Sequence, residues 1–224
     1  VMGAGGVIVP PRSYFDRVQR ILRKHDVLLI ADEVICGFGR TGNMFGCRTF
    51  GIEPDMISVA KALSAAYLPI SALLINKRVF EAVRDHSDRV GTFAHGFTYS
   101  GHPVSAAVAV ETLAIYEERD IVGHVRDVAP RLQEGLRRFA DHPLVGEVRG
   151  VGLVAGVELV KDTAARSKFD AARQVGPYLA GRAQQHGAML RPLPGDTIAF
   201  SPPLIISAEE IDLLVERFGR ALND

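Results

Sequence analysis

Apolar positions along the chain fall into patterns of three kinds. Residues 14–25 (YFDRVQRILRKH) set Phe15, Val18, Ile21 and Leu22 at helical spacing on one face, which predicts an amphipathic helix. Two runs are continuously apolar, Val27 to Ala31 ending in Asp32-Glu33 and Met56 to Ala60 ending in Lys61. Such runs predict strands buried on both faces of a parallel sheet. A third run, Ile70 to Ile75, predicts a further strand of the same α/β sheet. Pro103 to Glu118, rich in Ala and Val, predicts a long helix, followed by another from about Val125 to Phe139.

From Gly146 the third kind of pattern takes over, with short segments of alternating type. Strands are predicted at Gly146–Arg149, Gly152–Leu159, near Met189 and near Ile198, and helices at Ala171–His186 and Ala208–Leu222. Strand and helix mixed in this way predict a smaller α+β domain. There is no internal repeat, low-complexity tract or Ser/Gly linker, so the two parts are expected to share an interface.

Composition narrows the partners. The 224 residues are 47% hydrophobic, with 26 basic and 26 acidic side chains and no basic run. Nucleic acid and anionic membranes need a concentrated Lys/Arg footprint, so a small molecule or another protein is the expected partner. The charge-free stretch Ala62 to Asn76 contains Pro69 and falls short of the roughly 20 apolar residues that span a bilayer. Cys36 and Cys47 are too few for a disulfide framework and are read as thiols of a reducing compartment, the cytoplasm. The opening Val1-Met2-Gly3-Ala4 has neither an initiator Met at position 1 nor the regions of a signal peptide, as expected of a start in mid-protein.

Three segments could carry chemistry. Ligand chemistry in open α/β sheets gathers beyond the carboxyl ends of strands, where Asp32 and Lys61 both fall. Asp32 is either a loop cap or a carboxylate held for a cationic partner. Lys61, in an apolar setting, either snorkels to the surface or stands in a site where desolvation frees its amine as a nucleophile. The turn His95–Pro103 (HGFTYSGHP) leads into a helix and offers hydroxyls and N–H groups to a phosphate, or is turn chemistry alone. Its two histidines lack metal-ligand spacing, so no metal is expected. Gly150, Gly152 and Gly156 imitate a dinucleotide fingerprint, but the third glycine comes one position late and the segment reads as a strand.

Taken together, GAGGVIVPP, LLIADEVICGFGRTG, PDMISVAKALSAAYLP, HGFTYSGHP, VRGVGLVAGVEL and LRPLPGD followed by SPPL resemble, in order and spacing, the class III (omega) aminotransferases. The resemblance covers essentially the whole chain. It implies the type I fold of pyridoxal-phosphate enzymes, with residues 1–113 the C-terminal part of the cofactor-binding large domain and 114–224 the small domain. It places the Schiff-base lysine on Lys61 and the carboxylate that pairs with the ring nitrogen on Asp32. Val34 matches the residue packed on the ring, and Thr98 the phosphate-binding threonine given to the neighbouring subunit of a homodimer. Arg191 matches an arginine that binds a substrate carboxylate and can withdraw.

The implied reaction is transfer of an amino group from an amine or omega-amino acid to a 2-oxo acid such as pyruvate, with pyridoxal 5'-phosphate as cofactor. Met2, where ornithine- and GABA-type members usually carry Gln, points to the amine:pyruvate or beta-alanine branch. Ala62 stands where glycine often follows the lysine. The family's complete chain is longer, and its N-terminal part holds further cofactor and substrate contacts. Aminomutase or decarboxylase chemistry on the same fold, or a catalytically silent fragment, are the alternatives.

Overall fold

The computed structural model describes residues 1–224. The chain divides into two compact units: Pro11–Gly39 with Asn43–Asp120, and Val1–Pro10 with Arg40–Gly42 and Ile121–Asp224. A division after residue 113 would cut helix α4 (Pro103–Glu118), which runs unbroken. The break falls instead at Asp120, where the backbone turns through a φ of +42°. Residues 1–10 and 40–42, expected with the large domain, belong to the second unit.

The first unit holds a three-stranded sheet of β1 (Ile30–Asp32), β2 (Met56–Val59) and β3 (Ala72–Ile75), in the order β1-β2-β3. β1 and β2 are parallel, with Ile30 opposite Met56 and Asp32 opposite Ser58. β3 runs antiparallel to β2, so the sheet is mixed. The link between them holds one 3-10 turn, Lys61–Ser64, and bends through Ala65 and Ala66 at positive φ. It does not form the helical crossover by which parallel neighbours are usually joined. Of the two strands expected to be buried on both faces, β1 is exposed at two of three positions while β2 is half-buried to buried throughout, and β3 is exposed at all four.

Around this sheet, α1 (Tyr14–Lys24) turns Phe15, Val18 and Leu22 inward beside a fully buried Gln19, whereas Ile21 lies off that face and is exposed. Gln19 clamps the loop before β2, donating to the Gly51 carbonyl at 3.1 Å and accepting from the Glu53 N–H at 2.9 Å. Asp55 accepts from the Leu29 N–H and the Asn76 side chain, both at 2.9 Å. Asn76 in turn caps α3 (Lys77–Val90) by accepting from Val79 N–H. One carboxylate thus ties the entry to β1 to the start of α3.

The second unit is built on an antiparallel sheet of β4 (Val145–Val151), β5 (Val154–Leu159), β6 (Arg191–Leu193) and β7 (Thr197–Phe200), in the order β4-β5-β7-β6. Three helices, α5 (Ile121–Arg137), α6 (Val175–Gln185) and α7 (Ala208–Asn223), complete it. α5 continues through Pro130, which removes a helical hydrogen bond. Burial of Val125, Val128, Leu132 and Leu136 along the same helix offsets that loss. Ser207 and Glu210 form a reciprocal capping box that starts α7.

Phe218 packs edge-on against both Phe139 and Phe200, with ring centroids 5.2 and 5.1 Å apart. Val7, from the N-terminal segment, is buried against Val154 and Leu193. Gly150, Gly152 and Gly156 lie on the β4–β5 hairpin and not in a nucleotide loop. Gly152 turns at a φ of +60°, and a Cβ there would sit 2.3 Å from the Arg40 carbonyl oxygen. No helix is long and apolar enough to cross a membrane.

Candidate active site

The carboxyl ends of β1 and β2 bring two of the expected residues together. Asp32 is the last residue of β1 and lies opposite Ser58 of β2, and Lys61, three positions after Ser58, opens the 3-10 turn that follows this neighbouring, hydrogen-bonded strand. Parallel pairing therefore sets a carboxylate and a primary amine at the same edge of the sheet, and both side chains are exposed there. Asp32 Oδ1 accepts from the Val34 N–H at 3.0 Å, which aims the carboxylate while leaving its other oxygen to a ligand. Val34 itself is half-buried.

Lys61 has a φ of +46°, in the left-handed region that an L-residue occupies at a cost of about 1–3 kcal/mol. Ala65 and Ala66 share that strain a few residues later. The surrounding turn holds it. Leu63 N–H donates to the Ala60 carbonyl at 3.1 Å, Ala66 N–H to the Lys61 carbonyl at 3.3 Å, and the buried Ser64 hydroxyl to the Leu68 carbonyl at 2.6 Å. α4 packs on this turn, with the buried Tyr116 hydroxyl 3.5 Å from the Ala62 carbonyl. Other non-glycine residues of the chain, Asp26 and Gln174 among them, also have positive φ, so it is the placement of Lys61 at the strand end that singles it out.

Thr98 does not join this pair within the chain. It sits on an exposed turn, Phe97–Ser100, closed by Ser100 N–H donating to the Phe97 carbonyl at 2.9 Å. Arg191 is the first residue of β6, exposed and opposite Ala199, in the antiparallel unit. Cys36 and Cys47 are buried and no disulfide joins them. Burial pushes both thiols above their ordinary range, as does the nearby Glu33 charge, which suits neither to nucleophilic attack. No group of three His, Cys, Asp or Glu side chains is placed to hold a metal ion.

One residue escaped the sequence reading. Glu33, only 3% exposed, turns away from the edge that Asp32 faces and accepts from Gly46 N–H at 2.8 Å and Cys47 N–H at 2.5 Å. Those two amides open the short helix α2 (Gly46–Thr49). A Cβ on Gly37 would lie 2.7 Å from the Glu33 carbonyl oxygen, and one on Gly46 would lie 2.8 Å from Cys36 Cβ. The glycines of this loop thus make room for the clamp. Nothing local in the sequence links Glu33 to a partner 13 residues away.

Comparison with known proteins widens the picture. The chain matches the family described as aminotransferase class-III over residues 1–222. It is 53% identical over 224 residues to gamma aminobutyrate transaminase 3, chloroplastic, of Solanum lycopersicum, covering all of this chain and 43% of that protein. Among solved structures it is similar to a transaminase with L-ala, at a TM-score of 0.97 and 54% identity, covering all of this chain and 53% of the other. The omega transaminase from Pseudomonas jessenii in complex with PMP matches at a TM-score of 0.96 and 55% identity, with all of this chain and 49% of that one covered. The chain spans about half the length of the proteins it matches.

Proposed function

This chain belongs to the class III aminotransferase family, and from that premise we propose that the protein it forms part of moves an amino group from an amine or omega-amino acid to a 2-oxo acid such as pyruvate, with pyridoxal 5'-phosphate as cofactor. The observation that carries this reading is the pairing of Asp32 and Lys61 at the carboxyl ends of two hydrogen-bonded parallel strands. An exposed carboxylate beside an exposed amine fits a ligand with a cationic ring nitrogen at one end and an aldehyde at the other. When bound, pyridoxal phosphate supplies a carbonyl that takes up amines and a ring that draws electrons from the substrate carbon.

Each residue then has a task. Asp32 would keep the cofactor's ring nitrogen protonated, since an opposite charge close by favours the charged form. Lys61 would hold the cofactor through Nζ, and its amine would carry the proton away from the substrate's amino-bearing carbon. One side chain would serve as anchor first and base afterwards. Val34 would pack on the ring, and Thr98 would serve the phosphate on the neighbouring subunit of a homodimer, a role its exposed turn leaves it open to.

Arg191 grips a substrate carboxylate with the planar fork of its guanidinium. That task agrees with two of the similar proteins, one named for gamma aminobutyrate and one solved with L-ala, both of which pair an amine with a carboxylate. Met2 favours the amine:pyruvate side of the family.

The test is a pair of half-reactions on the full-length protein, followed by the absorbance of bound cofactor. An amine donor should bleach the carbonyl form, and pyruvate should restore it. A donor-dependent change that no 2-oxo acid reverses would overturn amino transfer in favour of an aminomutase or decarboxylase. Lys61→Ala should lower turnover by roughly a thousandfold or more, since it removes anchor and base together.

A further inference from the structure

We infer that Glu33 is a positioning residue for this reaction: its buried carboxylate, clamped by the N–H groups of Gly46 and Cys47, sets the direction in which Asp32 presents its own carboxylate. The inference rests on the role given to Asp32 above, and it assigns the second acid of the Asp-Glu pair a task distinct from the first.

Successive side chains of a strand point to opposite faces. At the end of β1 this alternation leaves Asp32 exposed and sends Glu33 inward, 3% exposed. The backbone between them is held on every side. Glu33 N–H donates to the Ser58 carbonyl at 2.9 Å, extending the β1–β2 pairing one residue beyond Asp32 toward the strand that leads into Lys61. The Glu33 carbonyl accepts from Gly37 N–H at 2.8 Å, and Asp32 Oδ1 accepts from Val34 N–H.

Glu33 is thus held at its N–H, its carbonyl and both carboxylate oxygens, four hydrogen bonds that together restrain the backbone next to Asp32. A buried carboxylate is costly unless strongly hydrogen-bonded, and two backbone donors meet that demand. A neutral side chain would suffice for packing alone. The charge strengthens both bonds, and the stiffness this confers is passed to the adjacent residue.

Four variants of the full-length holoenzyme test this: Glu33→Gln, Glu33→Asp, Asp32→Asn and Gln19→Ala. Gln19 is the comparison because it is another buried polar side chain that clamps a loop by two backbone bonds, at the amino end of β2 and not at the carboxyl ends where Asp32 and Lys61 stand. The readouts are kcat, KM and the pH midpoint of the visible absorbance of bound pyridoxal phosphate, which reports on the charge facing its ring nitrogen.

Glu33→Gln places an amide donor against a backbone donor, and Glu33→Asp keeps the charge but shortens its reach. Either should lower kcat by roughly tenfold with KM changed less than roughly twofold, and move the midpoint in the same direction as Asp32→Asn. Gln19→Ala should leave the midpoint in place even where it lowers thermal stability. A midpoint that follows Gln19→Ala as closely as Glu33→Gln would reduce Glu33 to a packing residue and overturn the inference. Wild-type kcat and midpoint in Glu33→Gln, with Asp32→Asn impaired, would overturn it while leaving the role of Asp32 intact. An unimpaired Asp32→Asn would overturn both.

If neither Glu33 variant folds, amide exchange in the unaltered protein decides. Gly46 and Cys47 N–H must exchange as slowly as the amides of the β1–β2 ladder, and prompt exchange would overturn the clamp.

Discussion

The antiparallel-sheet unit and the mixed-sheet unit use their apolar residues in opposite ways. In the former, Leu132, Leu136, Val157, Ile198, Ile211 and Phe218 are wholly buried, and the sheet and three helices close a core of their own. In the latter, Ile30, Leu73, Leu74 and Ile75 stand on strands yet remain exposed, Leu73 at 58%. Both units carry strong strand signals, but only one satisfies them from within. Polar clamps hold the mixed-sheet unit where apolar packing is thin: Gln19 on the loop before β2, Asp55 on β1 and α3, and Glu33 on α2. The candidate chemistry at Asp32 and Lys61 stands on this less self-sufficient unit. A site there draws its rigidity from hydrogen bonds within the chain and leaves its apolar strands free for further protein to cover.

The contrast can be broken in several ways, beginning with the largest effect. The 224-residue chain alone is expected to self-associate through its bare strands and to hold pyridoxal phosphate weakly. Light scattering and a cofactor titration check this, and a monodisperse chain with tight binding would show the mixed-sheet unit to be complete. Next, Phe218→Ala should cost about 3–5 kcal/mol of the antiparallel unit's stability, because the ring is wholly buried between Phe139 and Phe200. Denaturant unfolding of the full-length protein, followed by exchange of the β5 and β7 amides, measures it.

A third test concerns pH. The Leu29 N–H, and after it the Asn76 amide and the Arg78 charge, hold the Asp55 carboxyl below its ordinary range. A depressed carboxylate contributes its stability above the unfolded value and loses it as pH falls through the folded one. The Leu29 and Val79 amides should therefore lose protection as pH drops from about 5 toward 2, and Asp55→Asn should flatten that dependence. The smallest effect is the sharpest contrast with Phe218: Leu73→Ala should change the stability of this chain by no more than about 0.5 kcal/mol.

Much of the fold was legible because it is local. Helical spacing placed α1 within a residue of its observed ends, and the unbroken Pro103–Glu118 run is α4 as expected. The apolar runs ending in Asp32 and Lys61 identified two neighbouring parallel strands, although the double-sided burial that such runs predict is not met at β1 within this chain. What was illegible depended on contacts far apart in sequence. The reversal of β3 and the start of α6 after a positive-φ Gln174 each follow from tertiary packing that outweighs local preference, whereas the helix running through Pro130 was expected from its apolar spacing. The Glu33 clamp belongs with them, because its partners lie across a glycine loop whose course no periodicity describes.

The sequence alone determined which residues stand at strand ends, and through its ordered motifs the family to which the chain belongs. Side-chain type and periodicity report how each segment wishes to be buried, and short strand-end motifs keep chemical groups in order along the chain. Only the tertiary structure decided which segments are in fact buried, where the units divide, and that the two acids at the end of β1 face opposite ways to different tasks. Those outcomes depend on which distant backbone amides and apolar faces arrive at the same place, and hydrogen bonds of that range leave no imprint on the neighbouring sequence.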